Sequence, residues 1–401
     1  LVARKDYQPA IAADANGAFP ARAIYERRLP ELCARLDPDR PYWPGSPYTP
    51  AEFGDDPNDL TGGDRHTWEI WHGPKLPYQE YAAYGGRFVS EFGMAALPER
   101  ATIDAAISPD GRRFHSAALT HHFKADDGDE RLDQYLHRHF WVPDDLDAAI
   151  YLSQLLQADA LVTAIHAWRR RWNPPEHPNV GGALIWQLND CWPAISWALA
   201  DYYLRPKAAY YAVRRAFAPI AIGIARTPDN GAEIWGMNAT TTPLTDVSLE
   251  IIHWSLAGDY REAISREITL NPHGATELGS LPWRLDEQSV VAVIFWNNGE
   301  RIARATLWPE SNDVGAWAHD TILLKTMATD RFRLTTRRPT RGVWLEADMP
   351  VVWDDNSFDL MPTERRDITT SSPLDTSLRI YHLGHPTGTE AGGLIKINEV
   401  K

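Results

Sequence analysis

Cysteine is nearly absent from this sequence. The 401 residues include only Cys33 and Cys191, which excludes a framework of disulfide bonds as the main source of stability. A cysteine content this low favours a reducing compartment such as the cytoplasm, and the localisation stays open. The chain is too long for one ordinary domain, so two or three domains are expected.

Positive charge is also in short supply. Lys and Arg number 40 against 54 Asp and Glu, which gives a formal net charge of −14. This balance argues against a nucleic acid or an anionic membrane surface as a partner. The apolar runs, such as residues 218–225 and 290–296, are far shorter than the roughly 20 residues that cross a membrane. A neutral ligand fits this composition better.

Several catalytic motifs are missing. The sequence has no glycine-rich phosphate loop and no Gly-x-Ser-x-Gly nucleophile motif. The histidines lack the spacing of a metal-ligand set, so we do not expect a metal site. Aromatic residues, by contrast, are abundant, with 17 Trp, 15 Tyr and 11 Phe. Aromatic rings suit both large cores and stacking against sugars, and for most of them we expect a place in the core.

The first 217 residues alternate apolar strands with helices. Two helices are predicted, at residues 144–172 and 205–217, and this β/α alternation implies parallel strands. Four β/α units cannot close a parallel barrel, which needs eight strands, so we expect the other half upstream of Leu1. The absence of an initiator Met agrees with that expectation. The four predicted strands are residues 40–48, 66–73, 87–93 and 182–190.

From about residue 218 the pattern changes to short strands separated by turn residues, as in β-sandwiches. The first set of strands has an Asn-Gly turn at 298–299, and a second set follows after residue 313. The sequence therefore predicts β-sandwich regions at 218–312 and 313–401 after a barrel region at 1–217. The clearest strand segments are 232–240, 247–256, 289–298, 301–310, 321–327, 332–339, 343–349 and 377–383.

Glu91 raises the question of function. The segment GGRFVSEFGMAALPE, residues 85–99, runs through apolar Phe88 and Val89 and then places a carboxylate at a predicted strand end. A buried carboxylate is costly unless it is paired, so such a residue is either a satisfied structural acid or a catalytic one. In β/α barrels the catalytic residues lie at the C-terminal ends of strands, where Trp186 also falls. We expect Glu91 and Trp186 to be neighbours.

Three ordered motifs place these residues in a family context. They are GDRHTWEIWHG at 63–73, RFVSEFG at 87–93 and GGALIWQLNDCWPAISWALADYYLRPKAAYYAVRRAF at 181–217. Together they resemble the second half of the catalytic barrel of β-mannosidases of glycoside hydrolase family two. The match extends to RPYWPGSPY at 40–48 and to WDDNSFDLMPTE at 353–364, which resembles the C-terminal sandwich of that family. The resemblance covers nearly the whole chain.

This resemblance implies both a fold and an activity. The implied fold is the second half of a (β/α)8 TIM barrel followed by two immunoglobulin-like β-sandwich domains. The implied activity is that of a retaining exo-β-mannosidase, which removes terminal non-reducing β-D-mannose from β-mannoside oligosaccharides. No metal or organic cofactor is implied. Glu91 matches the nucleophile of the family, which acts with a second carboxyl group as acid/base.

The acid/base residue is expected outside this chain. In the family it is a Glu that follows an Asn, some ninety residues before the nucleophile, and no Asn-Glu pair precedes Glu91 here. Glu26 and Glu31 lie in a helix-forming segment, and we expect them to be structural. The resemblance thus implies a missing N-terminal part of the same polypeptide as a partner. Alone, the chain is predicted to be inactive.

The resemblance also implies substrate-binding residues. Trp186 matches a family Trp that forms the floor of the subsite for the cleaved sugar. His72 lies where relatives carry Tyr or His near the nucleophile. It is expected either to hydrogen-bond Glu91 or to be a structural histidine.

Four more residues near these motifs are candidates. Trp71 is assigned to the substrate, although one of Trp68 and Trp71 is expected in the core. Asn189 and Asp190 are expected to contact sugar hydroxyls or to cap the loop after the last strand.

Two other functions stay open at this stage. The chain could represent another family-two exo-glycosidase, such as a β-glucosaminidase or β-galactosidase, although residues 63–73 favour a mannosidase. It could also be a non-catalytic carbohydrate-binding protein. The two predicted sandwiches, the aromatic content and the missing acid/base support that alternative, whereas Glu91 favours an enzyme.

Overall fold

The computed structural model describes residues 23–54, 56–172, 179–310, 317, 322–374 and 377–387. Its first part is a β/α region built on a small parallel sheet. Strands β1 (Arg65–Thr67), β2 (Val89–Phe92) and β3 (Ala183–Ile185) pair in the order β1-β2-β3, and both pairings are parallel. Because β2 is central, residues at its end have a neighbouring strand on each side.

Residues 40–48, predicted as a strand, form none. The segment contains three prolines, which lack the backbone N–H that a regular ladder needs. It contacts the chain ahead of β1 mainly through side chains instead: Trp43 Nε1 donates to Asp64 Oδ1 at 2.7 Å, and Tyr48 forms a single bridge with Asp64. Within the described residues, the β/α region therefore has three strands where four were predicted.

Six α-helices lie in the described part of the chain. The predicted helices at 144–172 and 205–217 are confirmed as α5 and α6. The region also contains a π-helical turn at Ile24–Arg28 and short 3₁₀ turns at Ala51–Phe53, Tyr78–Ala83 and Pro109–Gly111. The helices are α1 (Leu29–Leu36), α2 (Arg100–Ala106), α3 (Ala117–His121), α4 (Gly128–His139), α5 (Leu146–Arg170) and α6 (Ala208–Ala216).

Helix α5 is the central helix of the β/α core. Its N-terminus is capped by Asp145, whose carboxylate accepts from Ala148 N at 3.0 Å, and Arg169 and Arg170 favour its C-terminal end. By length and composition α5 could cross a membrane, but 83% of its most apolar window is buried inside the protein. This burial is typical of a core helix.

Buried polar side chains of α5 fix the chain segments that follow β2 and β3. Gln157 Nε2 donates to Met94 O at 2.8 Å and to Trp197 O at 3.0 Å, so one amide joins both segments. Gln154 Nε2 donates to Leu97 O at 3.1 Å. Because buried backbone carbonyls need a donor, these contacts hold loops that would otherwise lack regular hydrogen bonding.

The first β-sandwich contains seven strands. One sheet has the order β4-β5-β8 and the other β10-β9-β6-β7. Apolar side chains from both sheets form a shared core that includes Ile234, Leu249 and Phe295. The predicted Asn298-Gly299 turn joins β9 to β10 with positive φ at both residues. The strands are β4 (Ile220–Arg226), β5 (Ala232–Asn238), β6 (Leu244–Ser255), β7 (Tyr260–Leu270), β8 (Gly274–Ser280), β9 (Ser289–Asn297) and β10 (Glu300–Leu307).

The second β-sandwich pairs the sheets β11-β12-β15 and β14-β13-β16. Its core includes Phe332, Leu345 and Ile368. The predicted boundary near residue 312 adjoins residues outside the described ranges, so the domain limits at 217 and 312 stay predictions. The strands are β11 (Ile322–Ala328), β12 (Arg331–Thr336), β13 (Thr340–Ala347), β14 (Phe358–Leu360), β15 (Arg366–Thr369) and β16 (Leu378–Tyr381).

Helix α5 also contacts the second sandwich directly. Arg341 of β13 forms an ion pair with Asp159 of α5 at 2.5 Å, and Tyr151 Oη donates to Gly342 O at 2.8 Å. Burial raises the pKa of Asp159, and the Arg341 guanidinium opposes that rise. The same helix therefore supports the sheet that carries Glu91 and the C-terminal sandwich.

Candidate active site

Glu91 is the penultimate residue of β2, which ends at Phe92. Its side chain is 26% exposed, so the carboxylate is neither in the core nor fully in water. Phe92, the next residue, is fully buried and contacts Trp168 of α5 edge-on with ring centroids 4.7 Å apart. Burial of Phe92 fixes the strand end and thus presents Glu91 at the C-terminal edge of the sheet.

Two side chains from β1 and its continuation contact one carboxylate oxygen of Glu91. Trp68 Nε1 donates to Oε2 at 3.1 Å, and His66 Nδ1 lies 3.3 Å from the same atom. His66 is the register partner of Glu91 in the parallel ladder, so the sheet itself places the two side by side. Burial lowers the pKa of His66, whereas the Glu91 and Asp64 carboxylates oppose this shift.

Asp64 stands behind His66 as a second, more deeply buried carboxylate. It accepts from Trp43 Nε1 at 2.7 Å, from Ser46 Oγ at 2.6 Å and from the Ser90 hydroxyl. Burial on its own would raise the pKa of Asp64, but the hydrogen bonds from Ser46, Ser90 and Trp43 hold this pKa below its usual range. Ser46 Oγ also lies 2.9 Å from His66 Nε2, which connects Asp64 to the site.

Trp186 follows β3 and is 42% exposed. Its backbone N donates to Phe92 O at 2.9 Å, so the residue lies next to the end of the strand that carries Glu91. The structure thus brings together the two strand ends that the sequence singled out. An exposed indole at this edge offers an apolar face to a ligand.

His72 does not form the predicted hydrogen bond to Glu91. Its Nδ1 lies 2.5 Å from Arg131 Nη1 of α4, and its ring contacts Trp68 and Trp197. Burial, together with the Arg131 charge, lowers the pKa of His72 to about 4, so the ring is neutral and accepts from Arg131. That part of the prediction is wrong, because the strand ends at Thr67 and His72 lies in the turn beyond it.

Trp71 is a core residue, and its assignment to the substrate is wrong. It has no exposed surface and stacks on Tyr135 of α4 with ring centroids 5.8 Å apart. Of the two tryptophans considered for the core, Trp71 is therefore the buried one. Trp68 is the one that reaches Glu91.

Asp190 is 3% exposed, and of its two predicted roles the structure supports capping of the loop. Its carboxylate accepts from Ser196 Oγ at 2.7 Å and from Gln187 Nε2 at 3.2 Å, which is the loop-capping alternative. Burial raises the pKa of Asp190, and the Ser196 hydroxyl opposes that rise. Asn189 is exposed and donates to the Asp190 carbonyl at 3.2 Å, so its contact with sugar hydroxyls stays a prediction.

Two other observations bear on the chemistry. Glu26 and Glu31 are exposed, Glu26 on a π-helical turn and Glu31 on helix α1. Among the described residues, no group of three or more His, Cys, Asp or Glu side chains is arranged to hold a metal ion. The chemistry available at the sheet edge is therefore that of a partly exposed carboxylate with Trp68 as hydrogen-bond donor and His66 nearby, both at one oxygen.

The sequence prediction missed His66 as a partner of Glu91. Its signal was present, since His66 and Trp68 alternate in the predicted strand and so share one face. His72 shares that face in the same pattern, and only the observed end of β1 separates the three residues.

Fold and site together define a β/α region with a strand-end carboxylate, followed by two β-sandwiches. Residues 230–312 match the family described as a mannosidase Ig/CBM-like domain. Residues 320–385 match the mannosidase family described as an Ig-fold domain. The two immunoglobulin-like regions are thus confirmed.

The chain is similar to β-mannosidases over most of its length. It is 35% identical to β-mannosidase B of Aspergillus niger over 390 residues, which cover 91% of this chain and 46% of that protein. The crystal structure of a β-D-mannosidase from Dictyoglomus thermophilum matches with a TM-score of 0.78 and 30% identity. That match covers 90% of this chain and 44% of the other. The resemblance seen in the sequence is confirmed.

The chain spans about half the length of the curated relatives it matches. An exo-chitosanase from Amycolatopsis orientalis shares the fold with a TM-score of 0.65 over 77% of this chain and 44% of that protein. Its sequence identity is 16%, so this likeness concerns the fold alone.

Proposed function

We propose that this chain is part of a retaining exo-β-mannosidase that removes terminal, non-reducing β-D-mannose residues from oligosaccharides, with Glu91 as the nucleophile. The observation that carries the proposal is the position of Glu91 at the C-terminal end of the central parallel strand, where its contacts with other described residues fall on one carboxylate oxygen. The 35% identity to a β-mannosidase over 91% of the chain supports the choice of substrate.

The proposed reaction proceeds in two displacements. A Glu91 oxygen attacks the anomeric carbon, the bond to the leaving oxygen breaks, and a second carboxylic acid gives that oxygen its proton. In the second step the same group, now a carboxylate, takes a proton from water while the water oxygen attacks the anomeric carbon. The glycosyl bond to Glu91 then breaks, and its electron pair returns to the carboxylate.

The second carboxyl group is proposed to lie in a part of the polypeptide upstream of Leu1. No Asn-Glu pair precedes Glu91 in this sequence, and the relatives are about twice as long as the chain. The same upstream part would complete a (β/α)8 barrel around the three parallel strands. The partners in this proposal are therefore a β-mannoside and the remainder of the same protein.

Trp186 and Asn189 are the proposed contacts with the sugar. Trp186 presents an exposed indole beside the end of β2, suited to the apolar face of the ring in the cleaved position. Asn189 is exposed on the segment after β3 and can bind hydroxyl groups. Neither contact needs a metal ion.

The test uses the full-length protein encoded by the gene that contains this chain. We expect it to hydrolyse aryl β-mannosides faster than the matching β-glucosaminides and β-galactosides. Glu91→Gln should lower turnover by about 10³-fold or more, because an amide cannot serve as the nucleophile. Glu80→Gln, a change of an exposed side chain, is the matched control and should retain activity.

A 2-deoxy-2-fluoro mannosyl fluoride should label Glu91, as seen by peptide mass spectrometry. Label on another residue would refute the assignment of the nucleophile. A preference for β-glucosaminides would favour the hypothesis of another exo-glycosidase. Binding of mannosides without hydrolysis of any glycoside would favour a carbohydrate-binding protein.

A further inference from the structure

The two carboxylate oxygens of Glu91 have different surroundings. Trp68 Nε1 donates a hydrogen bond to Oε2 at 3.1 Å, and His66 Nδ1 lies 3.3 Å from the same oxygen. Within the described part of the chain, the contacts of the Glu91 side chain fall on Oε2 alone. The carboxylate is thus held by one oxygen and has the other available.

We propose that His66 is a positioning residue that, with Trp68, holds Oε2 of Glu91, leaves Oε1 for the sugar and speeds the second displacement. This inference rests on the proposed function for the role of Glu91 as nucleophile. The role proposed for His66 is separate from the formation of the bond between Glu91 and the sugar. His66 acts on the rate at which the bond between Glu91 and the sugar breaks in the second displacement.

The surroundings of His66 accommodate a proton on Nδ1 in both charge states of the ring. Ser46 Oγ lies 2.9 Å from Nε2 and 2.6 Å from Asp64 Oδ2, and a hydroxyl both donates and accepts. When the ring is neutral, Ser46 donates to Nε2, which leaves the ring proton on Nδ1. When the ring is charged, Nε2 donates to Ser46 and Ser46 donates to Asp64. In both states the proton is on the ring nitrogen that lies 3.3 Å from Glu91 Oε2.

Asp64 keeps its other hydrogen bonds in either arrangement. Trp43 Nε1 donates to Oδ1 at 2.7 Å, Tyr48 N donates to Oδ1 at 3.1 Å, and the Ser90 hydroxyl donates to Oδ2. With three donors that do not depend on Ser46, the Asp64 carboxylate stays satisfied while the Ser46 hydroxyl turns. Ser46 therefore adapts to the charge of the ring without leaving a buried carboxylate unpaired.

The chemical consequence follows from where charge returns to Glu91. In the glycosyl-enzyme, Oε1 is bonded to the anomeric carbon and Oε2 is a neutral ester carbonyl. As water attacks, the bond from Oε1 to carbon breaks and negative charge spreads over both oxygens. Donors to Oε2 bind this charge more strongly than the neutral carbonyl, so they lower the barrier to release. The same donors do not favour the attack step, which consumes the charge.

The two ring nitrogens can be separated by substitution in the full-length protein. The amide of His66→Asn places a donor near the position of Nδ1, whereas that of His66→Gln places it near Nε2. With 2,4-dinitrophenyl β-mannoside, His66→Gln should lower kcat by about 10- to 100-fold, the effect of one charge-assisted hydrogen bond. KM should fall with kcat, because the glycosyl-enzyme accumulates when its release is limiting.

Pre-steady-state assays should therefore show a larger burst of dinitrophenol for His66→Gln than for the wild type, and His66→Asn should lie between them. Trp68→Phe removes the other donor to Oε2 and should shift kcat and KM in the same direction. Equal losses of kcat and kcat/KM, or better activity from His66→Gln than from His66→Asn, would overturn the inference while leaving the proposed function intact.

A second measurement does not depend on mannosidase activity. The ¹⁵N spectrum of the His66 ring in the wild-type protein should show a protonated Nδ1, and Glu91→Gln should shift that signal. An Nδ1 without a proton would contradict the inference whatever substrate the protein takes. Failure of the wild type to hydrolyse any aryl glycoside, together with a protonated Nδ1 that responds to Glu91→Gln, would reject the proposed function alone.

Discussion

Single residues at the sheet edge owe their roles to differences in exposure. Trp186 is 42% exposed and Trp71 is fully buried, although both are tryptophans close to predicted strand ends. An exposed indole has a free face for a ligand, whereas a buried one contributes packing energy only. Truncation of an exposed side chain leaves little cavity behind, so it changes ligand binding more than stability.

Trp186→Ala is expected to lower kcat/KM for an aryl β-mannoside by about 10- to 100-fold, with little loss of stability. Stacking of roughly 1–3 kcal/mol against the sugar is removed, and it strengthens as the ring flattens toward the transition state. Michaelis–Menten kinetics and thermal unfolding of the full-length variant measure the two effects. Trp186→Phe retains a smaller platform and is the matched control. Unchanged kinetics in the folded Ala variant would make Trp186 a structural residue.

At the scale of elements, helix α5 connects distant parts of the chain through polar side chains. Gln154 and Gln157 bind backbone groups of the segments after β2 and β3, and Lys207, just ahead of α6, donates to Ala96 O and Ser196 O at 3.2 Å. Burial lowers the pKa of Lys207 to about 8. The loops at the sheet edge therefore depend on satisfied buried polar groups, which are sensitive to charge.

The buried carboxyl group of Glu99 should make the stability of the protein depend on pH. Burial, with the nearby Glu346 and Asp201 carboxylates, raises the pKa of Glu99 to about 8. The unfolded chain releases this proton near its ordinary pKa, so between that value and about 8 the folded state binds the extra proton. Stability should therefore fall as pH rises through this window, by about 1.4 kcal/mol per pH unit at most.

Glu99→Gln should remove that fall, because the amide is neutral in both states. Thermal unfolding of the full-length protein at pH 5, 6, 7 and 8 should show the variant gaining on the wild type as pH increases. Glu80→Gln, a change of an exposed side chain, provides the control for a general loss of one carboxylate. Parallel stability curves for the wild type and Glu99→Gln would contradict the assigned shift.

For the whole molecule, the parallel sheet of the described residues lies beside exposed apolar side chains. Phe88 and Leu184, next to and within the strands, are 36% and 55% exposed, although both are large apolar residues. A three-stranded parallel sheet also has two open edges. Parallel sheets are normally covered on both faces, so these surfaces are suited to contact with further strands and helices.

Residues 1–401 alone are accordingly expected to show little or no hydrolysis of natural β-mannosides. The exposed apolar surface should also make this chain aggregate. General acid/base assistance is typically worth about 10²–10⁴-fold, and its absence should affect activated aryl glycosides less than natural sugars. Assays of the chain alone and with the rest of the protein supplied as a second polypeptide provide the measurement. Robust activity from the chain alone would mean that it contains an acid/base residue.

Much of this protein could be predicted from local sequence. Alternation of apolar and polar residues predicted most of the long sandwich strands, and helical periodicity predicted α5 from end to end within two residues. Glu91 and Trp186 were identified from motifs at predicted strand ends, and the structure places the backbone N of Trp186 2.9 Å from the carbonyl oxygen of Phe92, the residue after Glu91. These features are local because hydrogen bonding within a helix or alternation along a strand involves residues close in sequence.

What the sequence left open depends on contacts between distant residues. His66, Trp68 and His72 share one face of a predicted strand, and only the pairing of β1 with β2 decides that the strand ends at Thr67. Beyond that point the chain turns, Trp71 enters the core against α4, and His72 meets Arg131. Alternation gives the face of a side chain but not the length of the ladder, because a strand continues only as far as its partner supplies hydrogen bonds.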